Sequence, residues 1–252
     1  MILKTKEEIE IIKESSQISS EIMKKLKAFV KPGISTKELD EIARNLILEY
    51  KVESAFVNYD GFPAVLCTSV NEVIVHGVPS DYKLKEGDII SLDFGVKYKG
   101  YYSDMAFTLP VGKISKEANK LIIATRKSLE LAIKVAKPGN RLGDIGFTIQ
   151  NFLEKEGFHP IKELCGHGIG KDLHEDPQIL NFGKRGEGLE IREGMVFCIE
   201  PMASIGDWRI KKAKDGYGWQ TRDGSLSAHF EHTVAVFKNK AQNLTYFWKN
   251  II

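Results

Sequence analysis

The spacing of apolar residues along the chain predicts four α-helices. The clearest one follows Ser35, which can form a capping box with Glu38, and its apolar stripe comprises Leu39, Ile42, Ala43, Leu46 and Ile47. A second helix of similar pattern follows Ala136, and its apolar face comprises Ile145, Ile149, Phe152 and Leu153. Two further helices are predicted near residues 6 to 28 and 116 to 136.

Runs of β-branched and aromatic residues predict six strands, near residues 65 to 69, 73 to 76, 88 to 96, 102 to 109, 195 to 202 and 229 to 237. Since the strands follow one another as hairpins and meanders, with the helices segregated from them, we expect an α+β architecture with a largely antiparallel sheet. The first long hairpin is expected to turn at Tyr98 and Lys99, which would place Asp93 directly opposite Asp104.

A weak internal repeat relates two halves of the chain. VKPGISTKELDEIARNLILEY resembles AKPGNRLGDIGFTIQNFLEKE, and LKEGDIISLD resembles IREGMVFCIE further along. The second match superposes Asp93 on Glu200, so each half contributes one acidic residue from an equivalent strand position. We therefore expect a single catalytic domain, residues 1–252, whose halves of approximately residues 30–110 and 136–238 surround one central site.

Composition limits the classes of protein that remain. The chain has 252 residues, of which 42% are hydrophobic, and its net charge of +2 comes without a basic stripe, which argues against disorder and against nucleic-acid binding. We find no signal-peptide core and no apolar run of about 18 residues, so we expect a cytoplasmic protein without a membrane span. Three cysteines without a CxxC motif exclude a cysteine-rich zinc module and make a disulfide framework improbable.

Five ionisable residues lie in stretches that are otherwise apolar or rich in glycine: Asp93, Asp104, His167, Glu200 and Glu231. Each acid taken singly would be interpreted as a solvated carboxylate, but four of them together repel one another by roughly 4 kcal/mol per close pair. Two divalent cations would cancel the four charges. Oxygen-rich ligation with one imidazole suits Mn²⁺, Fe²⁺, Co²⁺ or Zn²⁺, so we predict two divalent metal ions without choosing among them.

Several segments carry a resemblance to a known family. NEVIVHGVP, LDFGVKYKGYYSDMAFT, CGHGIGKDLHEDP, GMVFCIEPM and SLSAHFEHTVAV are similar, in order and spacing, to the motifs of type I methionine aminopeptidases. The resemblance implies a pita-bread fold around a dinuclear metal site, and a metallo-aminopeptidase that removes the initiator methionine from nascent polypeptides. It also implies that Asp104 and Glu231 bridge both ions, that Asp93 completes one, and that His167 with Glu200 completes the other.

The resemblance further implies roles in catalysis and in substrate binding. Glu200 would take a proton from the attacking water and return it to the leaving amine, while His174 would stabilise the developing oxyanion. His76 would hydrogen-bond the scissile amide region, and the substrate's free α-amino group would bind the ion held by Asp93. The methionine pocket would be lined by Tyr59, Phe62, Cys67 and His76, with Tyr217 near its rim, and His174 would also bind the substrate.

The chain departs from common members of that family at three pocket positions, with Phe56 where cysteine is frequent, Leu173 for phenylalanine and Tyr217 for tryptophan. These changes put the shape of the pocket in doubt. His229 stands where such proteins often carry glutamine and shares a strand face with Glu231, so it either touches the metal site or fills space behind it.

Two cysteines leave a further alternative open. In an extended strand Cys165 shares a face with His167, and Cys198 shares one with Glu200. Either the two thiols lie beside the metal site, where cations would lower the thiol pKa, or they are small hydrophobic residues of the core.

Two other functions are weighed against the aminopeptidase. A prolidase or Xaa-Pro aminopeptidase would use similar ligands, but usually carries an extra N-terminal domain, whereas the first KPG motif here begins at residue 31. A metal-free relative that binds RNA or ribosomes should have lost ligands and gained a basic surface. We expect N-terminal methionine peptides as partners, with transient ribosome contact, no specific nucleic acid, no membrane and a monomeric state.

Overall fold

The structure, a computed structural model, describes residues 2–246. Its four helices lie where the apolar spacing predicts them: α1 (Lys6–Lys27), α2 (Thr36–Tyr50), α3 (Lys116–Val135) and α4 (Leu142–Lys155). The predicted capping box of Ser35 and Glu38 is present, since the Ser35 hydroxyl accepts from the Glu38 amide and the Glu38 carboxylate accepts from the Ser35 amide. Among residues 2–246, no helix is both long and apolar enough to cross a membrane.

The described residues form fifteen strands and one short 3-10 helix, Tyr59–Gly61. The strands are β1 (Glu53–Ser54), β2 (Cys67–Val70), β3 (Val73–Val75), β4 (Ile89–Tyr98), β5 (Tyr101–Pro110), β6 (His159–Pro160), β7 (Cys165–Gly168), β8 (Glu175–Leu180), β9 (Val196–Ile199), β10 (Met202–Ser204), β11 (Ile210–Lys212), β12 (Trp219–Thr221), β13 (Ser227–His229), β14 (Glu231–Phe237) and β15 (Lys240–Asn243). All six predicted strand regions are confirmed. The unpredicted strands are two to six residues long, and most are too short to show a clear alternating pattern.

A nine-stranded sheet forms the centre of the molecule. Its strand order is β1, β4, β5, β14, β9, β7, β8, with β2 pairing on β4 and β15 pairing on β14. Two three-stranded sheets, β13-β10-β6 and β11-β12-β3, flank it, and every strand pair among the described residues is antiparallel. The expected α+β class with an antiparallel sheet is thus confirmed.

The sequence repeat corresponds to equivalent elements of the fold. The matched segments form helices α2 and α4, and the second pair of segments forms strands β4 and β9. Strand β4 pairs with β5 and strand β9 pairs with β14, so the two strands lie on opposite sides of the central pair β5 and β14. Asp93 and Glu200 therefore approach the middle of the sheet from its two halves.

Helix α1 packs closely on the hairpin of β4 and β5 through a face of small residues. Ser15, Ser16, Ser19 and Ser20 are fully buried on this face. Each hydroxyl is hydrogen-bonded; those of Ser15 and Ser19, for example, lie 2.9 and 2.7 Å from the hydroxyl of Ser103 on β5. Because the buried hydroxyls are satisfied, the helix can approach the sheet closely without leaving unpaired polar groups.

The β4–β5 hairpin turns one residue later than expected. Tyr98 pairs with Tyr101, so the two loop residues are Lys99 and Gly100 rather than Tyr98 and Lys99. Both loop residues have positive φ, 48° and 83°, as a two-residue type I′ turn requires. Glycine adopts this conformation without steric cost, which fixes the turn at Gly100.

This turn corrects the expected register of the two aspartates. Asp93 pairs with Ala106, and Asp104 pairs with Gly95, so the aspartates are diagonal neighbours and not directly opposed. Because the shift is two residues along one strand, both side chains still project from the same face of the sheet. The acidic pair is thus kept together, although the predicted direct opposition is wrong.

Candidate metal centre and substrate cavity

Five adjacent strands of the central sheet bring the predicted metal-binding residues together. Asp93 lies in β4, Asp104 in β5, His167 in β7 and Glu231 at the start of β14, while Glu200 directly follows β9. All five line one cavity. Asp93, Asp104 and Glu231 are at most 6% exposed, which is unusual for carboxylates that no basic residue neutralises.

Distances between the side chains are those of groups that can share a cation. Ligand atoms of Asp93, Asp104 and Glu231 lie within 4.8 Å of one another. The Nε2 atom of His167 lies 3.7 Å from Glu200 Oε1 and 3.9 Å from Glu231 Oε1. The other ring nitrogen of His167, Nδ1, is 2.9 Å from the Gly168 carbonyl oxygen and can donate to it, which leaves Nε2 as the free ligand atom.

Glycines around His167 let its strand approach the neighbouring strands. A Cβ atom on Gly166 would contact the backbone carbonyl of Cys198 in β9, and one on Gly168 would contact the carbonyl of Asp176 in β8. Side chains at either position would push β7 away from its neighbours. The glycines of CGHGIG therefore serve to bring the His167 ring down to the acidic residues.

Thr233 holds the backbone of Asp104 where the β5–β14 pairing ends. Its hydroxyl accepts from the Asp104 amide at 3.0 Å and donates to the Asp104 carbonyl at 2.7 Å. The regular pairing of the two strands covers only Glu231 with Ala106 and His232 with Met105. The Thr233 side chain thus replaces the next backbone ladder contacts and fixes the position from which the Asp104 carboxylate extends.

The buried cluster disfavours the charged forms of its own carboxyl groups and of His167. Burial raises the pKa of all four carboxyl groups, and repulsion from the neighbouring carboxylates raises that of Asp104, Glu200 and Glu231 further. Burial also lowers the pKa of His167 to about 3, so this imidazole is neutral at pH 7. Without a cation to balance the charges, ionisation of the carboxyl groups in this cluster is therefore energetically unfavourable.

The residues present fit a divalent cation. Asp93 Oδ1, Asp104 Oδ1 and Glu231 Oε1 are buried and have no hydrogen-bond partner. In the described part of the chain, the ion pairs of Glu200 and Glu231 involve histidine only, and no lysine or arginine pairs with the two aspartates. Oxygen donors of this kind, together with a neutral imidazole, are ligands for first-row divalent metals.

His229 reaches the same carboxylates, which decides one of the open alternatives. Its Nε2 atom lies 3.4 Å from Glu200 Oε2 and 3.9 Å from Glu231 Oε2, so the ring contacts the acidic cluster and does not merely fill space behind it. His232 is different, since its Nδ1 lies 2.9 Å from the Thr245 hydroxyl.

Cys198 combines both expected roles. Cys198 is fully buried in an apolar cluster, yet its sulfur lies within 4.8 Å of ligand atoms of His167 and Glu231. Burial, reinforced by nearby carboxylates, raises the pKa of Cys198 and raises that of Cys165 to about 11. This direction is opposite to the expected one, so a reactive thiol would depend entirely on bound cations.

The cavity above the acidic cluster has a volume of about 370 Å³, within the range of small-ligand sites. Every residue predicted for substrate binding or catalysis lines it: Tyr59, Phe62, Cys67, His76, His174, Glu200 and Tyr217. Phe56 and Leu173, the two other departures, also line it. Asp60, Lys212 and Gly216 also line the cavity but were not predicted, because no local sequence signal marks them.

One wall of the cavity is apolar and is closed by a contact between two loops. Phe56, Phe62 and Leu173 are at most 7% exposed. Tyr217 meets the Phe62 ring edge-on at 5.6 Å between centroids, and its hydroxyl donates to the Gly61 carbonyl at 2.7 Å. The hydroxyl that distinguishes tyrosine from phenylalanine thus ties the β11–β12 loop to the cavity rim.

Two further histidines face the cavity as neutral rings. His174 Nδ1 lies 2.7 Å from the Tyr59 hydroxyl, and its ring meets that of His167 edge-on at 4.3 Å. His76 has a positive φ of 57°, which is rare for a residue other than glycine. Both rings are exposed to cavity solvent, but the surrounding protein lowers the pKa of each, that of His76 to about 4.

Buried carboxylates and an imidazole lie at the floor of a cavity with one apolar wall, an arrangement typical of a metal-dependent enzyme. The chain belongs to metallopeptidase family M24, whose family model matches residues 10–238. Methionine aminopeptidase of Clostridium perfringens is 45% identical over 245 residues, which are 97% of this chain and 98% of that protein. Methionine aminopeptidase 1 of Bacillus subtilis is 44% identical over 97% of this chain and 99% of its own length.

Solved structures agree with this assignment. A methionine aminopeptidase from Thermotoga maritima superposes with a TM-score of 0.96 at 42% identity, covering 98% of this chain and all of that one. The expected pita-bread fold, metallo-aminopeptidase class and use of divalent metal are thereby confirmed. A prolidase from Pyrococcus horikoshii, at 22% identity and a TM-score of 0.78, shares the fold, but this chain covers 65% of its length.

Proposed function

We propose that this chain removes the N-terminal methionine from nascent polypeptides by metal-assisted hydrolysis of the first peptide bond. The observation that carries the proposal is a cavity with an apolar wall and a floor of four carboxylates. An apolar side chain suits the wall, and positive groups suit the floor. The names of the two relatives described above agree with this activity.

The metal centre is proposed to hold two divalent ions, drawn from Co²⁺, Mn²⁺, Fe²⁺ and Zn²⁺. Asp93, Asp104, His167, Glu200 and Glu231 would hold them. The unpartnered carboxylate oxygens of Asp93, Asp104 and Glu231 support this ligand set, as does the free Nε2 of His167. When bound, such ions lower the pKa of a coordinated water and polarise a carbonyl oxygen.

Glu200 is the proposed proton carrier. Its Oε1 atom faces His167 at 3.7 Å and its Oε2 atom faces His229 at 3.4 Å, so neither oxygen is neutralised by a lysine or arginine of the described chain. Without a bound cation, burial and the neighbouring Asp93 carboxylate raise its pKa well above the ordinary value for glutamate. It would accept a proton from the attacking water and return that proton to the leaving amine.

His174 and His76 are proposed to act on the peptide group itself. Both imidazoles are neutral at pH 7 because the protein environment lowers their pKa. The Tyr59 hydroxyl, 2.7 Å from His174 Nδ1, would hold that ring in place while its other nitrogen stabilises the developing oxyanion. His76 would hydrogen-bond the scissile amide region from the end of β3.

Specificity for methionine would come from the apolar wall. Tyr59, Phe62, Cys67 and Tyr217 line it together with Phe56 and Leu173, and these residues would surround an unbranched thioether side chain. Asp93 would hold the ion that faces the substrate's free α-amino group, which would restrict hydrolysis to the first residue.

Peptide hydrolysis tests the proposal. Met-Ala-Ser, Leu-Ala-Ser and Ala-Pro peptides would be incubated with the metal-stripped protein after addition of Mn²⁺, Co²⁺, Fe²⁺ or Zn²⁺ in turn. Release of methionine from the first peptide, with little hydrolysis of the other two, is expected. Preferred cleavage of Ala-Pro would instead assign the prolidase reaction, and no cleavage by a folded, metal-loaded protein would reject both activities.

The organisation of the whole chain stays a prediction. We propose that residues 1–252 work as a single catalytic domain, of which residue 1 and residues 247–252 lie outside the described part. A monomer in the cytoplasm, with transient ribosome contact and no specific nucleic acid or membrane partner, is likewise proposed. Sedimentation of the purified protein would test the monomeric state.

A further inference from the structure

His229 is a buried imidazole that none of the roles above requires. It ends strand β13, and its side chain is 1% exposed. Thr108 on β5 fixes its backbone, since the Thr108 hydroxyl donates to the His229 carbonyl and accepts from the His229 amide, both at 2.9 Å. The position of the ring is therefore set by strand β5 as well as by its own strand β13.

Neither ring nitrogen of His229 has a hydrogen-bond partner in the described structure. Buried imidazole nitrogens are normally satisfied, so this unpaired ring is available to a bound partner, either a water molecule or a metal ion. The ring is aimed at the acidic cluster, with Nε2 lying 3.4 Å from Glu200 Oε2 and 3.9 Å from Glu231 Oε2.

The placement of His229 matches that of His167 on the opposite side of the same two glutamates. His167 Nε2 faces the Oε1 atoms of Glu200 and Glu231 at 3.7 and 3.9 Å, while His229 Nε2 faces their Oε2 atoms at 3.4 and 3.9 Å. Ligand atoms that each bind one ion at about 2.0 to 2.2 Å are separated by roughly 3 to 4 Å. Both imidazoles satisfy this condition.

A simple hydrogen bond accounts for the geometry less well. An N–H···O bond is ordinarily about 2.9 to 3.0 Å long, so 3.4 Å from Nε2 to Glu200 Oε2 is too long for a good one. A hydrogen bond to Glu200 would also not explain why Glu231 Oε2 lies at a similar distance, 3.9 Å, from the same nitrogen. Groups that gather around a cation explain both distances together.

We propose that His229 is a metal ligand in this chain, donating Nε2 to an ion that it shares with Glu200 and Glu231. The centre then has two imidazole ligands, one on each side of the glutamate pair. Since imidazole suits Zn²⁺, Co²⁺ and Fe²⁺ better than Mn²⁺, the second nitrogen shifts the metal preference of the chain away from Mn²⁺. This inference rests on the divalent metal of the family and is independent of which peptide is cleaved.

Counting nitrogen ligands tests the proposal directly. The metal-stripped protein would be loaded with Cu²⁺ as a spectroscopic probe, and pulsed electron paramagnetic resonance would count the imidazoles coupled to it. Two coupled imidazoles are expected in the wild type, and one in His229→Gln. Glutamine can still hydrogen-bond Glu200 but is a poor ligand for these metals, so it separates ligation from a hydrogen-bonding role.

Metal affinity provides the second readout. Titration calorimetry should show Zn²⁺ binding weakened at least about tenfold in His229→Gln, with Mn²⁺ binding changed less. His159→Gln is the matched control, because His159 is an exposed histidine of β6 and should leave both values unchanged. Circular dichroism would show that each variant is folded.

Two results would overturn the proposal. A wild-type spectrum with a single coupled imidazole would exclude His229 as a ligand without reference to any variant. Equal nitrogen counts and equal Zn²⁺ affinity in the wild type and His229→Gln would do the same, even if the peptidase reaction remained intact.

Discussion

The carboxylates of Asp93 and Asp104 are diagonal neighbours across the β4–β5 hairpin, and with Glu231 their oxygens lie within 4.8 Å of one another. Burial raises the pKa of both aspartates, and that of Asp104 is raised further by Glu231 and Asp93. The two residues thus form a pair that the fold holds together at an energetic cost when both are ionised. A bound cation removes that cost, so stability should depend on metal.

Removing metal should lower the melting temperature. Binding to the folded state alone stabilises a protein, so chelation of a metal-loaded sample should destabilise it and added Mn²⁺ or Co²⁺ should restore it. Asp104→Asn should lose most of this response, because one proposed ligand and one negative charge are gone. Differential scanning calorimetry measures the change. Unchanged melting after proven metal removal would count against a metal site at this cluster.

The stability of the chelated protein should depend on pH through the carboxyl group of Asp104. Its pKa is raised above the unfolded value of about 3.9, so its protonated form favours the folded state and this stabilisation is lost as pH rises toward the folded-state pKa. The wild type should therefore lose stability relative to Asp104→Asn as pH rises above about 4, by up to about 1.4 kcal/mol per pH unit. Urea unfolding at several pH values measures the difference, and a constant or opposite difference contradicts this account.

Replacing Glu200 by glutamine should reduce turnover at least about a hundredfold, because Glu200 is the proposed proton carrier as well as a proposed charged ligand. Methionine release from Met-Ala-Ser gives the rate, and metal analysis of the same sample gives the occupancy. Glu193→Gln, an exposed residue of the segment before β9, is the control. Near-normal turnover of Glu200→Gln at full metal occupancy would exclude Glu200 as the proton carrier.

Tyr217→Phe should loosen the rim of the cavity while leaving the metal centre intact. The lost hydrogen bond to the Gly61 carbonyl is worth about 0.5 to 1.5 kcal/mol, which corresponds to a rise in KM of roughly 2- to 10-fold with little change in kcat. Tyr82→Phe, far along the chain from this loop, provides a matched loss of a tyrosine hydroxyl. Equal KM values for the wild type and Tyr217→Phe would show that the contact does not affect substrate binding.

Local signals in the sequence were sufficient for the four helices and the six predicted strand regions, and for grouping the five candidate metal-site residues. Helix α2 could be placed because its apolar stripe and the capping box of Ser35 with Glu38 depend on residues three or four positions apart. The repeat that superposes Asp93 on Glu200 was visible for the same reason. The joint occurrence of His167 and four acids in apolar stretches indicated metal before any distance was known.

Relations between distant residues required the tertiary structure. The hairpin register depends on the φ angles of Lys99 and Gly100, so a one-residue error in the predicted turn misplaced Asp104 by two positions. The reach of His229 to Glu200 and the bond of Tyr217 to Gly61 join segments far apart in the chain, which no local pattern encodes. The sequence determined which side chains were present and their local conformation; packing alone determined which of them meet, because contacts across a sheet depend on register and on how loops close over it.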